Sequence, residues 1–155
     1  MSIYVNNVLR IKRNSLQQEE MKMLVDADLF AGYKDILMIS AVIGYNARKY
    51  EPISKVATEG VLMSFFNEKD YDIIDLIAYS HKKEQMIVKS DEKYEIFSSY
   101  ANAGFPILLE KLGIAGQTSL GEDEARKAQC KYYSLLLSGE FLPKIESLKD
   151  DELFI

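Results

Sequence analysis

At 155 residues, with 48% apolar and 28% charged side chains, the chain has the size and balance of one globular unit rather than a disordered segment. A net charge of −5 works against unspecific attraction to nucleic acid or anionic membrane, while leaving room for a local basic patch. The lone cysteine, Cys130, has no internal disulfide partner, no signal peptide opens the chain, and the longest apolar run, Ile36 to Ile43, is too short to span a bilayer, so the expectation is a cytoplasmic protein without a membrane partner.

Ile3 to Arg13 reads as a short edge strand or an extended arm, because Leu9 and Ile11 alternate with Arg10, Lys12 and Arg13. Ser15 with Gln18 three residues on has the form of a capping box, opening a helix over Leu16 to Ala27 with Leu16, Met23, Leu24 and Ala27 on one face. Phe30 to Tyr45 is apolar almost all round at helical spacing, as in a helix at the middle of a core, and Gly44 or Asn46 suits its left-handed end. Lys49 to Thr58 shows no period, and Pro52 marks a loop. Val61 to Phe66 fits a buried strand or a helical turn, which periodicity alone does not separate.

Asp70 is expected to cap a helix over Tyr71 to Lys83 with Ile73, Ile74, Ile77 and Ala78 inward, and Met86 to Val88 to form a second short strand. Ser90 then caps a helix in which Gly104 and Pro106 must bend or break the chain before Ile107 to Leu112, with Asn102 bonding to backbone near that kink. The last helix, Glu122 to Ser138, follows a capping box of Ser119 and Glu122 and buries Ala125, Ala128, Tyr132 and Leu136; Gly139 and Pro143 end it. The expected architecture is mainly α: a compact bundle of about five helices around the central helix (30–45), with a small two- or three-stranded β element. A single helical domain covers residues 1–143, and a charged tail, 144–155, closes on Leu153, Phe154 and Ile155.

Chemistry is hard to find in this sequence. There is one histidine and one cysteine, no Gly-x-Ser-x-Gly elbow, no phosphate-binding glycine loop and no dinucleotide fingerprint, so no catalytic, cofactor or metal residue is assigned. Cys130 is expected to be a small buried hydrophobe. Asp72 and Asp75 share a helix face and, with His81, form the weakest candidate, a metal-assisted hydrolase; helix-end charges explain all three as well. Arg10, Lys12 and Arg13 are the one dense basic stretch, either a solvated edge that resists aggregation or a contact to DNA phosphates. Leu153, Phe154 and Ile155 either fold back on the core or insert into a partner.

Three segments together resemble a known family: Tyr33-Lys34-Asp35-Ile36-Leu37-Met38 running on to Ile43-Gly44-Tyr45, then Asp72-Ile73-Ile74-Asp75-Leu76-Ile77-Ala78, then Glu95-Ile96-Phe97-Ser98-Ser99-Tyr100-Ala101-Asn102-Ala103-Gly104. In order and spacing, over about Leu9 to Leu112, they resemble the DNA phosphorothioation-associated protein 4 family, with departures at Ala103 and Pro106. The resemblance implies a small accessory subunit of a bacterial phosphorothioation-dependent restriction or anti-phage system. It implies no cofactor and transfers no catalytic residue. The expected role is non-enzymatic binding to larger proteins of a defence or restriction complex, with a small DNA-contacting module as the alternative.

Overall fold

The computed structural model describes residues 4–144. In chain order these form β1 (Arg10–Ile11), α1 (Gln18–Asp26), α2 (Tyr33–Asn46), β2 (Val61–Leu62), α3 (Glu68–Lys82), α4 (Glu92–Lys111) and α5 (Glu122–Leu137). Short 3-10 turns precede α1 (Ser15–Gln17), follow β2 (Met63–Phe65) and lead into α4 (Gln85–Lys89). The fold is mainly helical, with β1 and β2 as a two-stranded antiparallel sheet.

The centre of the molecule is the crossing of α2 and α4. Ile36, Leu37, Ala41, Val42 and Ile43 of α2 and Phe97, Ala101, Phe105 and Leu108 of α4 are all buried there. The two backbones come closer than side chains permit. A Cβ on Gly104 would lie 1.9 Å from the Ser40 carbonyl oxygen, and one on Gly44 would lie 2.1 Å from that of Tyr100. Gly44 therefore does not end α2, as its type invited; it is spent on the crossing. The left-handed residue that ends the helix is Arg48 (φ 57°), where the Lys49 amide donates to the Gly44 carbonyl at 2.9 Å and the Arg48 amide to that of Tyr45 at 3.1 Å.

Pro106 does not break α4, which runs on to Lys111. A proline at this position has no N–H for the carbonyl four residues earlier, that of Asn102. The Gln17 side chain supplies the missing donor, its Nε2 lying 3.1 Å from the Asn102 carbonyl oxygen. Asn102 itself is buried. Its Nδ2 donates to the Glu51 carbonyl at 2.8 Å, and its Oδ1 accepts from Asn14 Nδ2 at 2.8 Å and Gln17 Nε2 at 3.2 Å. Three residues from two segments, the turn before α1 and the loop after α2, thus converge on one buried amide in α4.

Several local expectations need correction. Asn14, not Ser15, caps the first turn by accepting from the Leu16 amide at 2.8 Å, and Leu16 stays 67% exposed. Asn67 caps α3 three residues before Asp70, which instead closes the box by accepting from the Asn67 amide at 2.9 Å. Met86 to Val88 is a 3-10 turn and not a strand, so β2 pairs with the N-terminal segment alone. Glu124 accepts from the Gly121 amide at 3.3 Å at the start of α5, where Ser119 and Glu122 had the sequence pattern. Of the expected inward face of α5 only Ala128 is buried; Leu136 is 45% and Leu137 90% exposed.

An aromatic junction joins α2, α3 and α4. Tyr45 of α2 pairs its hydroxyl with Ser80 of α3, and its ring meets Tyr100 of α4 edge-on at 5.6 Å. His81 Nδ1 lies 2.7 Å from the Tyr100 hydroxyl, and Tyr50 stacks on the imidazole at 4.6 Å. Desolvation, then the Lys82 charge, hold the His81 pKa below its ordinary 6.5 against a weaker pull from Glu92.

Replacing Gly104 by alanine is expected to cost at least about 3 kcal/mol, because its Cβ meets backbone that cannot rotate away; a denaturant midpoint measures this. The His81 shift has a definite sign. The unfolded imidazole takes up a proton below its ordinary 6.5, while the folded one resists. Stability is full above that value and falls as pH drops through the lowered folded value. Melting curves between about pH 7.5 and about pH 5.5 should show that slope, and His81→Gln should flatten it.

Candidate functional site

The basic stretch near the N-terminus is divided by the strand geometry. Arg10 pairs with Leu62 and Ile11 with Val61. Alternation sends Ile11 into the core at 1% exposure and takes Arg13 in with it, at 5%. Arg10 and Lys12 remain exposed, and Lys12 reaches Glu95 at 2.6 Å. The three residues therefore do not form one solvent-facing edge.

Arg13 is unusual for a buried cation. Its guanidinium lies over the Tyr33 ring at 4.4 Å, Nη1 donates to Gln18 Oε1, and Nη2 donates to the Glu59 carbonyl at 3.0 Å. Its Nε has no acceptor, and no carboxylate among the described residues forms an ion pair with it. Burial lowers its pKa, opposed by the fields of Tyr33 and Glu59.

Arg13 lines the wall of a cavity of about 600 Å³. One side of the cavity is the start of α2: Gly32, Tyr33, Lys34 and Asp35. Gly32 is extended (φ −171°, ψ 179°), provides no side-chain cap, and has open space where a Cβ would stand. The residues that open this 14-residue helix thus line the cavity, and the capping position offers their amides no side-chain acceptor. The opposite side holds Arg10, Glu59, Leu62 and the 63%-exposed ring of Phe65. Lys34 binds Asp70 at 2.9 Å and Asp35 at 3.2 Å; burial works against its charge, but these bonds outweigh it and raise its pKa. The sequence reading missed this site. Its one signal was a glycine, rather than Ser, Thr or Asp, immediately before a long helix and within reach of a basic strand.

A second feature is the outer face of α5. Phe30 meets Tyr132 edge-on at 4.9 Å, and Phe141 meets the same ring at 5.6 Å, which seats the inner face. Tyr133 and Leu137, turned away from that face, are 53% and 90% exposed, Leu136 at its border is 45% exposed, and Leu142 just beyond the helix is 67% exposed. Cys130, expected to be buried, is also exposed, because the helix turns this face outward. The tail anchors Leu153, Phe154 and Ile155 lie outside the described residues.

The remaining candidates have other duties. Asp75 is the counter-ion of Lys93, 2.8 Å from its Nζ; Lys93 is 1% exposed and also donates to the carbonyls of Val88, at 2.7 Å, and Tyr4. His81 belongs to the aromatic junction. Asp72 is exposed on α3. Asp72, Asp75 and His81 do not converge, and no group of three or more His, Cys, Asp or Glu among the described residues is arranged to hold a metal ion. Asn102, Gly104 and Pro106 serve the α2–α4 crossing. No helix of the described residues is long and apolar enough to cross a membrane.

No curated protein and no solved structure gives a significant match to this chain. The family model of DNA sulphur modification system-associated protein 4 matches residues 10–123. That span runs from β1 to the first residues of α5 and holds every residue of the cavity. The chain belongs to the DNA sulphur modification system-associated protein 4 family.

Proposed function

We propose that the protein is a non-enzymatic accessory subunit of a DNA sulphur modification-dependent restriction system, and that it works in anti-phage defence by binding a larger protein of that system. Family membership supports the association with the system. The observation that carries the binding role is the outer part of α5, where the large apolar side chains of Tyr133, Leu136 and Leu137 are exposed, with Leu142 exposed just beyond the helix. Large apolar side chains exposed this close together in sequence support a docking surface over single exposures. The tail that follows carries Leu153, Phe154 and Ile155 and extends the same chemistry.

A tagged full chain should co-purify with the larger proteins encoded for the same system. The double substitution Tyr133→Asp and Leu137→Asp should abolish that capture. Because both side chains stand in solvent, stability should stay within about 0.5 kcal/mol of the parent. A parent chain that remains monomeric and captures none of those proteins would remove the proposal.

A further inference from the structure

The cavity at the start of α2 combines two features that each call for an anion. One is a helix N-terminus with a glycine in the capping position, where amide donors and the positive end of the helix dipole meet open space. The other is Arg13, more than nine-tenths buried in the cavity wall, with an unbonded Nε and no carboxylate in ion-pair contact among the described residues. Burying this cation is costly, the fields of Glu59 and Tyr33 offset that only in part, and an anion in the cavity would add to the offset. Arg10, exposed on the cavity rim, adds a second cation.

The wall also restricts which anion fits. Asp35 and Glu59 line it, and Lys34 is already engaged with Asp35 and Asp70. The three cations of the lining, Arg10, Arg13 and Lys34, less the two carboxylates leave one positive charge, which a singly charged group balances and a dianion exceeds. Phe65 presents an exposed aromatic face beside the cavity, suited to stacking on a flat ring. A singly charged phosphate with an aromatic neighbour is one linkage of a nucleic-acid strand.

We propose that this cavity binds a phosphodiester of a single nucleic-acid strand, with its free oxygens on the first amides of α2, Arg10 and Arg13 as counter-charges, and Phe65 against the adjoining base. The site differs from the solvent edge of Arg10, Lys12 and Arg13 that the sequence offered. It is also independent of the α5 face, so either proposal stands if the other fails.

The test is fluorescence anisotropy of a labelled thymidylate decamer with the full chain. Binding is expected at about 50 mM salt and should weaken steeply by about 200 mM. Gly32→Asp places a carboxylate where the phosphate would sit and caps the helix, so it should weaken binding at least about tenfold without lowering the melting temperature. Arg10→Gln should weaken binding several-fold and Lys12→Gln should leave it unchanged. Inorganic phosphate should compete only at roughly millimolar concentration. The proposal is overturned if the parent does not bind the decamer at low salt, if Gly32→Asp binds like the parent, or if Lys12→Gln is as damaging as Arg10→Gln. Inorganic phosphate that displaces the decamer at micromolar concentration would also overturn it. Partner capture by Gly32→Asp should be unchanged, which separates this result from the α5 proposal.

Discussion

The fold depends on two helices being allowed to touch backbone to backbone. Gly44 on α2 and Gly104 on α4 face each other's chains, and a methyl group at either would overlap a carbonyl oxygen. With that contact in place, the large side chains on either side, such as Ile36, Phe97 and Phe105, close over it and are excluded from water. The other elements can be understood as cover. α3 adds Ile74, Ile77 and Ala78 from one side, and the segment from β1 to α1 adds Ile11, Met21 and Leu24.

Close helix contact leaves little tolerance for unpaired polar groups, and the chain answers this with side chains brought from far along the sequence. Pro106 frees a carbonyl in the middle of α4, and Gln17 bonds it from the turn before α1. Asn102 binds Asn14, Gln17 and the Glu51 carbonyl together. Lys93 is buried beside Asp75 and two backbone carbonyls, which joins the N-terminal segment to α3 and to the start of α4. In each case the named donor and acceptor find each other across the fold, so these polar groups specify one arrangement instead of weakening the core. Three buried side-chain atoms among the described residues stay unbonded, Arg13 Nε, Gln17 Oε1 and Ser40 Oγ, and of these only Arg13 carries a charge. Its guanidinium is bonded at two nitrogens, yet its Nε has no acceptor and no carboxylate among the described residues is in ion-pair contact with it, beside the uncapped start of α2.

The two proposed surfaces differ in how they relate to the family. The cavity is built from residues 10–65, all inside the matched span of residues 10–123. The outer face of α5 falls beyond that span. A ligand site in the cavity would therefore belong to the region shared with the family, whereas docking through α5 would be a feature of this chain's own C-terminal part.

Much of the architecture was legible in the residues. The central helix, the helical class, the positions of α3, α4 and α5 and the small β element follow from apolar period and from Gly, Pro and Asn signals, which are local properties. The family, too, was legible from three short segments. What the residues alone left undecided was where each special residue is used. Gly44 has the chemistry of a helix end and Pro106 that of a break, but a partner helix took the first and a distant glutamine accommodated the second. Alternation correctly separates Arg13 from Arg10, yet only a neighbouring sheet strand and the start of α2 turn that burial into the wall of a cavity. The sequence by itself determined the elements and their faces, because those depend on spacing within a few residues. The tertiary structure alone decided the α2–α4 contact, the rescue of the Asn102 carbonyl and the cavity beside Arg13, because each is made by residues brought together from tens of positions apart.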